Sequence, residues 1–291
     1  MTSRRHTLKL VVAAVLFPGR GTAASFSTER PLMGTLFKIT SHTADHPLFK
    51  IASSEAFAAA EKINSVASDY IADSELLSFS KLSHGKPHPV SETLFPLLLQ
   101  ARHFAEETEG RFDPTLGPLT KLWRESRRRQ SLPGPDVLAA ALAASGYGKL
   151  FLDGKARTLV FSVPGMRLDL GGIAKGQAAD AMLEVFRKHG LTRTSITCGG
   201  DVRVGDPPPG KDHWSISVRT TGEPKQPLKL VNSAVSTSGD LHQFVEIEGT
   251  RFSHIIDPET GLGLTEPRTA IIIASNAAES DALATAACVR S

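Results

Sequence analysis

Two adjacent glycines stand between an acid and a lysine in the segment 169–175, and this spacing suits an anion. Gly171 and Gly172 let the backbone approach a ligand closely. The helical pattern that follows offers free N–H groups and a partial positive charge at its start, and Lys175 adds a full charge. The segment therefore predicts a phosphate site beside Asp169. A plain strand-to-helix turn is the alternative, since the sequence is neither a P-loop nor a dinucleotide fingerprint.

A second candidate pair lies near the C-terminus, where Asp281 and Thr285 are four residues apart on a helical pattern. Residues at this spacing share one helix face. A carboxylate with a hydroxyl suits Mg²⁺, which takes one or two protein oxygens and fills its other positions with water and phosphate. The alternative is an acid stabilised by the helix dipole and a threonine bonded to its own turn.

His254 is the candidate for proton transfer, because histidine titrates close to neutral pH. It precedes the turn that begins at Asp257-Pro258, and turn chemistry alone explains that acid. A structural histidine is the alternative interpretation of the same pattern.

Residues 1–24 resemble an export signal, with a basic start, an apolar stretch too short to span a bilayer, and small residues before Ser25. Segment 3–9 resembles the twin-arginine pattern, but Thr7 stands where an aromatic residue is usual, so twin-arginine and general secretion both remain open. No cysteine follows the apolar stretch, and we expect a periplasmic protein without a lipid anchor. Removing four basic residues with this segment changes the net charge from +3 to −1, which disfavours nucleic-acid binding.

The elements that must position these residues follow from apolar periodicity and from turn residues. Helices are predicted over 48–69, 94–108, from Pro135 to before Gly146, from the paired glycines to about 189, and over 277–289, the last opened by a capping box at Asn276. Strands are predicted over 32–40, 150–152, 159–161, 166–170, 194–198, 214–219, 228–231, 243–247 and 270–275. Segment 235–240 is expected to be a hydroxyl-rich turn that lines a polar pocket.

Helices precede strands, the two then mix, and hairpin signals indicate antiparallel pairing. The pattern predicts an α+β (mixed α/β) fold with largely antiparallel sheets packed with helices. Residues 25–291 are expected to form a single domain without a membrane span. Cys198 and Cys288 are too few for a disulfide scaffold, and the sequence leaves open whether they pair.

Eight short motifs together resemble the ApbE-type FAD:protein FMN transferases, and they stand in that family's order over nearly all of the mature chain. They include Gly199-Gly200-Asp201 and His254-Ile-Ile-Asp-Pro-Glu-Thr-Gly261. The full set occupies 33–35, 74–75, 112–119, 169–176, 199–201, 237–239, 254–261 and 281–285. Each motif is weak alone, but eight in the right order are specific.

The resemblance implies that FAD is split at its pyrophosphate, that FMN is linked to a Thr or Ser of an acceptor redox protein, and that AMP is released. It implies Mg²⁺ as cofactor and FAD as substrate. The carbonyl of Gly172, with Asp281 and Thr285, would hold the metal. The implied FAD site contains Met33, Arg111, Phe112, Asp113, Asp169, Lys175, His254 and Ile255. An Mg²⁺-dependent FAD pyrophosphatase and a non-catalytic periplasmic FAD-binding protein are the alternatives.

Overall fold

The computed structural model describes residues 24–218, 226–240 and 243–289. The predicted export signal lies outside the described residues, apart from Ala24. The strands are β1 Ser25–Leu32, β2 Thr35–His42, β3 His88–Pro89, β4 Leu150–Asp153, β5 Thr158–Phe161, β6 Thr194–Cys198, β7 Asp201–Val204, β8 Trp214–Ile216, β9 Leu228–Leu230, β10 Ala234–Gly239, β11 Phe244–Ile247, β12 Thr250–Ser253 and β13 Thr269–Ala274. The helices are α1 His46–Ala67, α2 Glu75–Phe79, α3 Phe95–Glu107, α4 Gly117–Arg129, α5 Pro135–Ala143, α6 Ala174–Lys188 and α7 Ala277–Cys288.

The central element is a six-stranded sheet in the order β1-β2-β6-β7-β10-β13, and every neighbouring pair is antiparallel. Smaller antiparallel units are β3-β5-β4 and the pairs β8-β9 and β11-β12. The predicted α+β class with largely antiparallel sheets is therefore confirmed.

Helices α6 and α7 pack on the central sheet, and α1 packs on α6. Apolar residues at a four-residue spacing put Ala178, Met182 and Phe186 on the buried face of α6. Alanines at the same spacing in α1 let the two helices approach closely. This packing forms the main core, which holds the site's helices in fixed positions.

A second, smaller core packs α4 against β12. Trp123 of α4 packs edge-on against Phe252 of β12, and its indole N–H donates to the carbonyl of Ser253 at 3.0 Å. Strand β12 ends one residue before His254. The cluster therefore fixes the backbone that carries this histidine.

Several sequence predictions are corrected. Segment 166–170 is not a strand of any sheet, because its one ladder contact is an isolated bridge between Arg167 and Leu116. The prediction of a turn over 235–240 is wrong, because residues 235–239 belong to β10 inside the central sheet. Strands β1, β3 and β7 and helices α2 and α4 have no counterpart among the sequence predictions. Both cysteines are buried and free.

Candidate active site

The glycine turn, Gly171-Gly172, follows a segment that is hydrogen-bonded to the loop of residues 112–117. Asp169 donates its backbone N–H to the carbonyl of Pro114 at 2.8 Å, and Gly117 donates its N–H to the carbonyl of Arg167. The Asp169 carboxylate in turn accepts the N–H of Gly171 at 2.8 Å. One N–H group of the glycine turn is already satisfied by Asp169, and anion binding at this turn stays a prediction.

Helix α7 is fixed against α6 by carboxylate and amide caps at its start. Asp180 of α6 accepts the N–H groups of Ala277 and Ala278, both at 2.9 Å. The side chain of Asn276 accepts the N–H of Glu279 at 2.9 Å, which confirms the predicted N-cap. A Cβ added at Gly176 would lie 2.1 Å from the carbonyl oxygen of Ala277, so glycine is required where α6 meets α7.

This contact brings Lys175 and Asp281 together across 106 residues of sequence. The Lys175 Nζ lies 3.2 Å from both carboxylate oxygens of Asp281, and the N–H of Gly176 donates to the same carboxylate at 3.2 Å. Asp281 is buried. A protein carboxylate therefore accepts an N–H at the start of α6, where the sequence predicted only free groups for phosphate.

Asp201 is a third charged group beside this pair. It is buried, and its Oδ2 lies 3.6 Å from the Lys175 Nζ. Burial and the negative charge of Asp281 raise the pKa of Asp201 to about 7, although Lys175 and Ser236 act in the opposite direction. Burial alone would lower the pKa of Lys175, but the two carboxylates raise it above its ordinary value, so the ammonium stays charged.

Of the three predicted metal ligands, Gly172 lies beside Thr285, and Asp281 lies one turn before Thr285 on α7. A Cβ added at Gly172 would lie 3.0 Å from the Thr285 Oγ1 and 3.3 Å from the Phe112 ring. The Thr285 hydroxyl donates to the backbone carbonyl of Asp281 at 3.1 Å, so the threonine is bonded to its own helical turn, as in the alternative interpretation, and it lies 3.4 Å from the Ser238 hydroxyl. Within the described ranges no three His, Cys, Asp or Glu side chains form a metal cluster. One carboxylate, one hydroxyl and one carbonyl nevertheless fit Mg²⁺, which uses few protein ligands.

The Asp281 carboxylate is paired with the Lys175 ammonium, which contacts both of its oxygens, so a metal ion would compete with this ammonium for Asp281. This pairing shows that the buried carboxylate is suited to a positive charge. The oxygen donors around it fit the implied Mg²⁺.

His254 follows β12 and is partly buried. Its Nδ1 lies 3.1 Å from the carbonyl oxygen of Gln243. A carbonyl only accepts, so Nδ1 carries the proton and Nε2 is left with a lone pair. Burial lowers the pKa of His254, the hydrogen bond that the ring donates to the Gln243 carbonyl raises it, and the positive charges of Arg127 and Lys175 lower it further. The neutral imidazole is therefore available as a base.

An arginine joins two acids behind the glycine turn. Arg124 of α4 forms ion pairs with Asp69 and with Asp169, the latter at 3.3 Å, and its guanidinium lies 4.2 Å from the ring centroid of Tyr70. Asp169 thus contacts Arg124 as well as its own turn. Asp69, Tyr70 and Arg124 were not singled out from the sequence, because residues from separate segments give no spacing signal.

An open groove of about 590 Å³ lies beside these residues. Tyr70 and Phe244 provide aromatic walls, and Lys121, Arg127 and Arg128 line it with positive charge. Its volume is in the range of small-molecule sites. The groove is suited to an anionic ligand that also has an aromatic part.

The remaining predicted residues lie in different surroundings. The Asp113 carboxylate is buried and accepts from Thr115 and from the N–H of Tyr147, so this side chain holds its own loop. Arg111 is half-exposed and lies 3.8 Å from Glu109. Met33 lies in the turn between β1 and β2. Ile255 is partly buried, with its N–H bonded to Ser253. Their predicted contacts with FAD stay predictions.

The chain is similar in sequence to proteins of a known family. The profile described as the ApbE family matches residues 33–291. A Treponema pallidum protein named FAD:protein FMN transferase is 31% identical over 92% of this chain and 79% of its own length. A Klebsiella pneumoniae protein of the same name is 27% identical over 86% of this chain and 74% of its own length.

Solved structures show the same fold. The ApbE protein of Thermotoga maritima has a TM-score of 0.80 at 29% identity, covering 91% of this chain and 87% of that one. The flavin transferase ApbE of Vibrio cholerae has a TM-score of 0.81 at 29% identity, covering 91% of this chain and 86% of that one.

The fold and the sequence relatives identify the class of this protein, which is a flavin transferase. The chain belongs to the ApbE family of FAD:protein FMN transferases. The resemblance of the eight motifs to this family is confirmed.

Proposed function

We propose that this protein is an Mg²⁺-dependent FAD:protein FMN transferase. It cleaves the FAD pyrophosphate and links FMN by a phosphoester to a Thr or Ser of an acceptor redox protein, with release of AMP. The observation that carries the proposal is that Lys175 contacts the buried Asp281 carboxylate, while Thr285, one turn further along α7, lies beside Gly172. Positive charge and oxygen ligands at one point are what pyrophosphate cleavage needs.

His254 and Lys175 have different roles in the proposed reaction. The acceptor hydroxyl oxygen forms a bond to the phosphorus of the FMN phosphate, and the bond from that phosphorus to the bridging oxygen breaks, so AMP leaves. His254 takes the hydroxyl proton at Nε2, because Nδ1 is committed to Gln243. Lys175 pairs with phosphate oxygens and orients the pyrophosphate.

Asp281, Thr285 and the Gly172 carbonyl would hold Mg²⁺ next to Lys175. When bound, Mg²⁺ supplies positive charge that neutralises the pyrophosphate. The groove lined by Tyr70 and Phe244 offers aromatic surfaces to the flavin or adenine ring, and Arg127 offers charge to the phosphates.

The test is transfer measured by intact mass. The mature protein is incubated with FAD, Mg²⁺ and an acceptor protein that contains an Asp-Gly-x-Thr-Gly-Ala-Thr segment. An acceptor heavier by one FMN supports the transferase. FMN and AMP without an adduct would instead identify a pyrophosphatase, and bound, unchanged FAD would identify a binding protein.

A matched pair of histidine variants completes this test. His254→Ala is expected to lose transfer, about 10²-fold to 10⁴-fold, because the proton acceptor is removed. His189→Ala is the control, since His189 is partly buried but is paired with Glu55 on the surface. Equal activity of the two variants would contradict the role of His254.

We also propose that the protein is exported to the periplasm, on the basis of residues 1–24. No helix in the described part of the chain is long and apolar enough to cross a membrane. Changing Arg4 and Arg5 to lysine is expected to block export if the twin-arginine route is used and to leave it intact if general secretion is used. Unprocessed wild-type protein found only in the cytoplasm would contradict export.

A further inference from the structure

One ammonium faces two buried carboxylates in this site. The Lys175 Nζ contacts both oxygens of Asp281 at 3.2 Å and lies 3.6 Å from the Oδ2 of Asp201. Both carboxylate side chains are only 3% exposed. The Oδ2 of Asp201 is buried without a hydrogen-bond partner, so the longer contact leaves this oxygen unsatisfied.

The closer carboxylate is also the proposed metal ligand. A divalent cation and an ammonium that contact the same carboxylate repel each other strongly at a distance of a few ångströms. Cation binding at Asp281 therefore requires the Lys175 ammonium to leave that carboxylate. Lysine has a flexible four-carbon stem and can make such a move without a backbone change.

Asp201 lies in a rigid position that can receive the displaced ammonium. It begins β7, directly after the Gly199-Gly200 turn, and it pairs with Ser236 of β10 across the central sheet. A Cβ at Gly200 would lie 2.8 Å from the Thr237 carbonyl oxygen, so the turn is packed closely against β10. The unsatisfied oxygen therefore has a fixed place within reach of Lys175.

We propose that Asp201 is a positioning residue that takes over the Lys175 ammonium when a divalent cation binds Asp281, and so keeps Lys175 at the phosphate site. The inference rests on the proposed metal site. It assigns Asp201 no direct bond to the metal or to FAD. Its effect on cation binding must therefore pass through Lys175.

A double-mutant cycle tests this dependence. The dissociation constant of Mn²⁺ is measured by titration calorimetry without FAD for the wild type, Asp201→Asn, Lys175→Met and the double variant. We expect Asp201→Asn to weaken Mn²⁺ binding about tenfold when Lys175 is present and less than about threefold in the Lys175→Met background. Equal weakening in both backgrounds, or no weakening in either, would overturn the proposal.

Lys175→Met alone provides a second measurement that does not depend on the folding of the Asp201 variant. It is expected to tighten Mn²⁺ binding, because the competing ammonium is removed. Unchanged or weaker binding would contradict the displacement step. Melting curves in EDTA identify any variant that fails to fold.

Asp281→Ala separates failure of this inference from failure of the proposed function. Loss of Mn²⁺ binding in that variant supports the metal site, and the cycle then tests Asp201 alone. Wild-type-like Mn²⁺ binding in Asp281→Ala would overturn the metal assignment and this inference together.

Discussion

The imidazole of His254 is held at Nδ1 by Gln243, and its surroundings favour the neutral form. Burial, with the charges of Arg127 and Lys175, lowers its pKa below the ordinary value of 6.5. A base works in its neutral form, so transfer is expected to rise with pH through a midpoint below 6.5. The measurement is kcat/KM for FAD as a function of pH. A midpoint above 6.5 for this limb would contradict the assignment.

Arg124 is expected to be a stability residue as well as a support for Asp169. Its removal in Arg124→Ala leaves the buried Asp69 carboxylate unpaired, at a cost of about 1–3 kcal/mol. Burial and Asp169 already raise the pKa of Asp69, and losing Arg124 raises it further. The folded variant then binds protons more readily than the unfolded chain, so its free energy of unfolding falls as pH rises.

Denaturant unfolding at two pH values checks the Arg124 prediction. The deficit relative to the wild type is expected to be larger at pH 8 than at pH 5. Asp69→Asn added to Arg124→Ala should remove most of this pH dependence, because the amide carries no charge. A deficit that is independent of pH would mean that Asp69 is not the cause.

The crossing of α6 and α7 is the element contact on which the site depends. In Gly176→Ala the new methyl group would clash with the Ala277 backbone carbonyl. A backbone group cannot move aside as a flexible side chain can. We expect destabilisation of about 1–3 kcal/mol and weaker Mn²⁺ binding, because Asp281 moves with α7. Gly154→Ala is the control, since a Cβ there meets nothing within 4 Å. Equal melting temperatures for both variants would contradict the close contact.

Elements with a strong apolar period were predictable from sequence, and those defined by long-range pairing were not. Helices α1, α6 and α7 and the Asn276 cap followed from local patterns. The sequence predicts a turn in place of strand β10, because Ser236, Thr237 and Ser238 are turn-forming residues. In the fold, the Ser236 hydroxyl lies 2.8 Å from that of Ser280 on α7, so polar residues are satisfied inside the sheet. Helix α4 is not among the sequence predictions, although Leu119 and Trp123 have helical spacing.

The whole molecule assembles its site from segments that are far apart in sequence. Motif order predicted that Gly172, Lys175, Asp281 and Thr285 belong together, and the fold brings them into contact. Arg124 with Asp69, and the second carboxylate at Asp201 beside Lys175, depend on tertiary packing. Asp201 belongs to one of the eight motifs, but the motif alone does not predict a role for it. Its ion pair with Lys175 exists only in the folded chain.

A cation held by α7 and by the turn before α6 is expected to stabilise the whole fold. The Gly172 carbonyl and the Asp281 carboxylate are 109 residues apart in sequence, and the unfolded chain does not hold them together. A ligand that binds only the folded state stabilises it by about 2.7 kcal/mol at a hundred times its dissociation constant. Saturating Mg²⁺ should therefore raise the melting temperature, and EDTA should reverse the increase. Asp281→Ala should show no increase, whereas Asp136→Ala, which changes an acid on α5, should keep it. A full Mg²⁺ effect in Asp281→Ala would place the cation elsewhere in the molecule.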